Sequence, residues 1–252
     1  MRTTVVIPCH NEAERLDTAS VEQLCIGDQQ VLLVDDGSTD ATWHIIESLS
    51  EHPAVSTLQL PANLGKGEAV RRGMSHAIVG GAELVAYLDA DFATPASEMQ
   101  RLIDAISDDH ELMVVLGSRW LHLGARISRT PVRHYVGRVF ATIASLSLKM
   151  PVYDTQCGAK VFRVTPDLKV ALSAPFRARW AFDVELLGRL RWGTGGGLGY
   201  PLPVFREQSL NQWTDVRGSS LNLRSAAEMG IDVVGLWWHF RPRRKRRTAA
   251  SA

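Results

Sequence analysis

The sequence predicts an α/β fold, a Rossmann-like, mostly parallel sheet with helices on both faces. Three observations carry this. Uninterrupted apolar runs such as Gln30-Val31-Leu32-Leu33-Val34 and Leu84-Val85-Ala86-Tyr87-Leu88 have the character of strands buried on both faces. The segments between them carry helix caps and helical spacing, the alternation of a parallel sheet. Two runs also end in carboxylates, Asp35-Asp36 and Asp89-Ala90-Asp91. Ligands of open α/β sheets bind just beyond such strand ends.

Thr3 to Pro8 is the first strand, and Asn11 is expected to cap a helix from Glu12 to about Leu24. The second strand ends at Asp35. Asp36-Gly37-Ser38-Thr39-Asp40 is turn chemistry, with Asp40 capping a helix through Leu49. Val55 to Leu60 is a third strand, and Asn63-Leu64-Gly65-Lys66-Gly67 is a glycine-rich turn into a helix to about Val79. The fourth strand delivers Asp89. Pro95 opens a helix to Ile106, as proline suits a first turn. Met113 to Leu116 is the fifth strand. A basic loop over 119–131 holds Arg119, Arg126 and Arg129, with Arg133 just beyond, and an apolar helix from about Val132 to Met150 follows. Later elements are a strand over Lys160–Arg163, a helix over Ala181–Leu190, a strand over Gly199–Phe205 and a last helix from about Ser219 to Trp238.

At 252 residues the chain suits one α/β domain. Charge is unevenly placed. Of 28 basic residues, six lie in the last twelve positions with no acidic residue, leaving 22 against 27 acidic groups in the body. The expected division is a domain over 1–218, an amphipathic helix over 219–240 and a disordered basic tail over 241–252. Such a tail suits an anionic membrane surface. Nucleic acid is not expected as a partner, because the body is acidic and shows no nucleic-acid motif. The three cysteines are far apart, which argues against a disulfide framework or zinc site. The N-terminus reads as a strand with no secretory leader, and no apolar stretch reaches the roughly 18 residues of a spanning helix. The expected location is therefore peripheral, on the cytoplasmic face of the membrane.

At the bend after the fourth strand, Asp89 and Asp91 can approach one Mg²⁺ or Mn²⁺ ion, which a nucleoside diphosphate needs to neutralise its phosphates. Asp36 is suited to accept hydrogen bonds from a base or ribose, or simply to form its turn. Pro8, His10 and Glu12 end the neighbouring strand and are placed to wall a nucleotide pocket. Lys66 is placed either to meet a phosphate or to remain a solvated lysine at a helix start. These residues point to a metal-dependent transferase acting on a nucleotide-sugar. The turn after the first strand has no G-x-G-x-x-G, against a dinucleotide oxidoreductase.

Pro8-Cys9-His10-Asn11-Glu12, Val34-Asp35-Asp36-Gly37-Ser38, Asn63-Leu64-Gly65-Lys66-Gly67 and Asp89-Ala90-Asp91 together resemble the signature of inverting family-2 glycosyltransferases with the GT-A fold. Gly117-Ser118-Arg119, Asp154-Thr155-Gln156-Cys157-Gly158-Ala159-Lys160, the segment Arg179 to Leu187 and Trp213 to Leu221 resemble a narrower group. That group is the dolichyl-phosphate glucose synthases and their bacterial polyprenyl-phosphate relatives.

The resemblance implies that Pro8, His10, Glu12 and Asp36 contact the nucleotide. It implies that Asp89, Ala90 and Asp91 hold the diphosphate and metal, and that Arg119 and Arg133 meet donor and acceptor phosphates. Arg217 is carried over too, although mannose synthases have arginine there while glucose synthases more often have an acidic residue. Ala93 and Thr94 replace the glutamine region of the mannose branch and match the glucose branch. The implied activity is transfer of glucose from UDP-glucose to a polyprenyl phosphate. A GDP-mannose enzyme and a catalytically silent nucleotide-sugar-binding scaffold are the alternatives. Asp183 or Glu185, with Asp183 preferred, is expected to hydrogen-bond the hexose.

Overall fold

The computed structural model describes residues 1–128, 131–215, 228 and 230–241, and no side chains at 128, 131–136, 138 and 139. The first half runs β1 (Thr3–Cys9), α1 (Thr18–Glu22), β2 (Gln30–Asp35), α2 (Thr42–Leu49), β3 (Val55–Gln59), α3 (Lys66–Val79), β4 (Leu84–Leu88), α4 (Ala96–Asp108) and β5 (Val114–Ser118). The second half adds β6 (Arg126–Ser128), α5 (Pro131–Leu148), β7 (Ala159–Arg163), α6 (Pro166–Leu172), α7 (Phe182–Trp192), β8 (Phe205–Ser209) and β9 (Gln212–Thr214). A helix over 230–241, α8, ends the described chain.

Seven strands form one sheet in the order β3-β2-β1-β4-β7-β5-β8, while β6 and β9 pair separately. All neighbours in the large sheet are parallel except β7, which runs antiparallel between β4 and β5. Strand side chains alternate between faces, so Val6, Leu32, Val34 and Tyr87 pack on one side and Val5, Ile7, Leu33 and Leu88 on the other. Helices cover both faces, which is why these strands are apolar throughout. The carboxyl ends of β1, β2 and β4 meet at one edge, where their acidic residues collect.

Several elements differ from the sequence expectation. The helix expected from Glu12 contracts to Thr18–Glu22, capped by Asp17. Asn11 takes a positive φ of 53° and accepts from the Thr39 amide instead of capping. Asp40 accepts from the Thr42 amide at 2.9 Å, holding the start of α2 from one residue before its cap position. The strand expected over Gly199–Phe205 starts only at Phe205, because Pro201 and Pro203 remove ladder donors. Within the basic loop lies β6, paired with β9.

The α7 helix is buried nearly all round, with its Glu185 and Arg189 charges paired at 2.7 Å. On α8, Val233, Leu236 and Phe240 enter the core. Phe240 lies where any side chain on Gly188 would stand, its ring 2.3 Å from that position. The opposite face of α8 exposes Ile231, Val234 and Trp238. No helix among the described residues is long and apolar enough to cross a membrane.

Candidate active site

The edge formed by β1, β2 and β4 gathers His10, Glu12, Asp36, Asp89 and Asp91, with Lys66 of α3 against Asp89. Asp36, past β2, accepts from the Leu64 and Gly65 amides, each at 2.8 Å. Its carboxylate therefore fixes the turn before α3. Burial pushes its pKa up, and those two amides hold it partly down. Gly37 has φ +64°, and a Cβ there would stand 2.4 Å from the Ala62 carbonyl carbon. Glycine is what lets the two turns pack together.

His10 Nδ1 donates to the Asp36 carbonyl at 3.0 Å, and Asn63 Nδ2 donates to His10 Nε2 at 2.8 Å. This network assigns the ring proton to Nδ1. Pro8 sits within β1, in register with Val34. Glu12 accepts from Arg15 at 2.9 Å. Burial raises its pKa, Arg15 opposes that, and the Asp91 and Asp89 charges add to the rise.

Asp89 is positioned by β7. Its amide donates to the Gly158 carbonyl at 3.0 Å. A Cβ on Gly158 would stand 2.1 Å from the Asp89 carboxyl carbon, so the close approach of these turns requires glycine. Asp89 Oδ1 is buried with no hydrogen-bond donor of good geometry. It meets the Lys66 ammonium at 2.6 Å as an ion pair. Burial alone would lower the Lys66 pKa, but Asp89, with Asp183 and Asp91 behind it, raises it overall. Ala90 is buried. Asp91 accepts from the Ala93 amide at 3.1 Å, and its pKa is raised by burial and then by the Asp89 charge.

These carboxylates fit a divalent cation. Asp89 presents a buried oxygen that already attracts a cation, and Asp91 and Glu12 feel its charge. Among the described residues no set of three His, Cys, Asp or Glu groups is close enough to complete a protein cage. Two carboxylates plus substrate phosphates is the usual arrangement for Mg²⁺.

Arg119 is held by a neighbouring carboxylate. Its guanidinium is engaged in a fork with Asp154, Nε to Oδ2 at 2.6 Å and Nη2 to Oδ1 at 2.8 Å. It also lies 5.3 Å from the centre of the Trp213 ring. Burial would lower its pKa, and Asp154 raises it. Asp154 is itself fixed by its amide, which donates to Glu207 at 2.7 Å. Arg133 belongs to the first turn of α5, but its side chain lies outside the described residues, as do Arg129 and Arg217.

Asp183 is buried inside the first turn of α7. Its Oδ1 accepts from Lys160 Nζ at 2.8 Å and from the Tyr87 hydroxyl. Lys160 also donates to the Cys157 carbonyl at 2.6 Å and to Tyr87 at 2.7 Å. Burial pushes the Asp183 carboxyl up and the Lys160 ammonium down, and the close contact of the two opposes both shifts. The network ties β4, β7 and α7 together beneath the Lys66–Asp89 pair. Lys160, Tyr87 and Asp154 are functional supports that the sequence reading did not select. A lone lysine within an apolar strand was the available signal for Lys160, because such a charge needs a buried partner.

The geometry agrees with comparisons to known proteins. Residues 4–170 match the Glycosyl transferase family 2 profile. The dolichyl-phosphate beta-glucosyltransferase of Drosophila melanogaster is 32% identical over 259 residues, spanning 94% of this chain and 74% of its own. The protein of the same name from Homo sapiens is 28% identical over 254 residues, spanning 92% and 73%. Among solved structures, glucosyl-3-phosphoglycerate synthase from Mycobacterium tuberculosis, in complex with Mn²⁺, UDP and glucosyl-3-phosphoglycerate, aligns with a TM-score of 0.67. That alignment covers 93% of this chain and 77% of the other at 19% identity, and it establishes the GT-A fold alone. The chain belongs to glycosyl transferase family 2 and is related within it to the dolichyl-phosphate beta-glucosyltransferases.

Proposed function

We propose that this glycosyltransferase moves glucose from UDP-glucose to a polyprenyl, dolichyl-type monophosphate with inversion, at the cytoplasmic face of a membrane. The observation that carries the reading is the convergence of Asp36, Lys66, Asp89 and Asp91 at one sheet edge. It occurs in a chain whose relatives are named for glucosyl transfer to dolichyl phosphate.

In this reading Pro8, His10, Glu12 and the Asp36 turn wall the nucleotide. Asp89 and Asp91 would hold Mg²⁺ or Mn²⁺, which would supply positive charge to neutralise the leaving diphosphate. Lys66 turns from Asp89 to a phosphate when the donor binds. The acceptor phosphate, with a second pKa near about 6 by analogy with phosphorylated side chains, is already charged at neutral pH. No protein base has to remove a proton from it. One phosphate oxygen attacks the anomeric carbon, the bond from that carbon to the β-phosphate oxygen breaks, and UDP departs. The α-linked donor gives a β-linked lipid phosphate. Arg133 and Arg217 are assigned to the acceptor side, since the Arg119 guanidinium is occupied by Asp154 and orients that loop. Asp183 supports the floor of the hexose pocket.

The test offers labelled UDP-glucose and GDP-mannose separately with a polyprenyl phosphate in detergent, and determines the anomeric configuration of the lipid product by NMR. A β-glucosyl product from UDP-glucose alone supports the reading. Label from GDP-mannose alone replaces it with the mannose activity. Nucleotide-sugar binding with no transfer replaces it with the silent scaffold.

A further inference from the structure

The turn between α6 and α7 presents a guanidinium to the donor site for which the site so far described has no use. Arg179 is exposed and has no hydrogen bond or ion pair among the described residues. Its Nε lies 3.5 Å from where a Cβ on Gly65 would be. Gly65 donates its amide to Asp36 and directly precedes Lys66, whose ammonium reaches Asp89. Arg179 thus stands beside the residues that link the nucleotide turn to the acidic strand end.

What holds Arg179 there is backbone, with no partner for its own side chain among the described residues. The Arg177 and Ala178 amides donate to Glu185 Oε2 at 2.7 and 2.9 Å. The Trp180 amide donates to Asp232 Oδ2 at 3.1 Å, and the Trp180 ring nitrogen to Glu228 at 2.9 Å. Carboxylates therefore clamp the chain on both sides of residue 179. A planar, permanently charged fork on such a fixed turn is suited to bind a phosphate bidentately. The Arg119 guanidinium, which feels the Asp89 charge, is already engaged by Asp154.

We propose that Arg179 is a further substrate-binding residue, contacting the diphosphate of the nucleotide-sugar donor alongside Lys66. This rests on the nucleotide-sugar reading above. Negative charge on the leaving diphosphate grows as the glycosidic bond breaks, so the contact is expected to aid departure of the nucleotide as well as binding.

The test uses the full chain as wild type, Arg179→Ala, Arg179→Lys and Arg177→Ala, the last an exposed control on the same turn. Calorimetry with Mn²⁺ compares UDP with uridine, and a transfer assay gives KM for the lipid phosphate. Arg179→Ala is expected to weaken UDP about tenfold or more, as loss of a charge-assisted phosphate contact does. Uridine affinity should stay unchanged, Arg179→Lys should fall between, and Arg177→Ala should match wild type. Unchanged UDP binding in Arg179→Ala overturns the proposal. So does an equal loss for UDP and uridine, because that reports a distorted Asp36–Gly65 turn. A raised KM for the lipid phosphate with intact UDP binding also overturns it and moves the residue to the acceptor. Wild-type protein that bound no UDP would overturn the nucleotide reading itself, a result distinct from wild-type binding that Arg179→Ala leaves intact.

Discussion

The Lys66 ammonium rests 2.6 Å from Asp89 Oδ1, on the carboxylate best placed to take a metal. A lysine there does electrostatically what a divalent cation would do, and both cannot occupy the same oxygen. In the proposed reaction Lys66 and the metal therefore compete, and the donor phosphates offer Lys66 an alternative partner. With the lysine side chain 46% exposed, such a pair is worth no more than about 1 kcal/mol. Lys66→Met should accordingly bind Mn²⁺ up to about fivefold more tightly without nucleotide. The same variant should bind UDP more weakly with Mn²⁺ present. Electron paramagnetic resonance of free Mn²⁺ measures the first effect, and calorimetry the second.

The pKa values of Asp91 and Glu12 are both raised by burial, and for each the neighbouring acidic charges add to the rise. A metal takes the deprotonated carboxylate, so protonation competes with it. Affinity for Mn²⁺ with UDP should be full near neutral pH and fall as pH drops. The fall should begin above the ordinary carboxylate range of about 4. Calorimetric titrations between pH 5 and 7.5 should show it, and Glu12→Gln should reduce the slope.

The Lys160–Asp183 pair is buried on both sides. Removing one partner strands the other charge, which typically costs about 3–5 kcal/mol. Asp183→Asn should therefore lower the melting temperature along with turnover. At this chain length each kcal/mol corresponds to about 2–4 °C. The double variant Lys160→Met with Asp183→Leu should recover much of that stability, because no charge is then left unpaired. Thermal unfolding followed by circular dichroism checks both.

Three hydrophobic side chains, Trp120, Leu121 and Leu123, are exposed on one loop, and α8 adds Ile231, Val234 and Trp238. Aromatic and aliphatic side chains beside a basic segment suit a membrane interface. Each basic residue near an anionic leaflet contributes about 1 kcal/mol. Deleting residues 242–252, which lie outside the described residues and carry five of the six tail charges, should weaken binding to anionic vesicles by a factor on the order of 10³. The triple change Trp120→Ser, Leu121→Ser, Leu123→Ser should weaken binding to neutral vesicles as well. Vesicle flotation separates the two contributions.

Much of this site was legible in the sequence because parallel strands buried on both faces are uninterrupted apolar runs, and their ends announce where acidic residues emerge. Asp36, Asp89 and Asp91 were found this way, Lys66 by the glycine-rich turn that opens its helix, and the structure brings them together. The parts that were not legible depend on pairing across the chain. The fork between Arg119 and Asp154 was not legible because the two lie 35 residues apart. The burial of Asp183 was not legible because helical spacing shows no outer layer, and α7 is covered on nearly every side. The strand at Phe205–Ser209 is polar apart from Phe205 and sits at the sheet edge, so no apolar run marks it. The three-residue β6 and β9 are too short for any period to show.

In the proposed reaction Asp89 and Asp91 hold a metal that makes UDP-glucose a donor for a lipid phosphate. This is tested most directly by incubating purified protein with labelled UDP-glucose and a polyprenyl phosphate, with Mn²⁺ or with chelator, beside Asp91→Ala. Label extracted into organic solvent only with the metal, and abolished in Asp91→Ala while the variant keeps its melting temperature, is the result expected. Equal label in chelator, or undiminished transfer by Asp91→Ala, would contradict it.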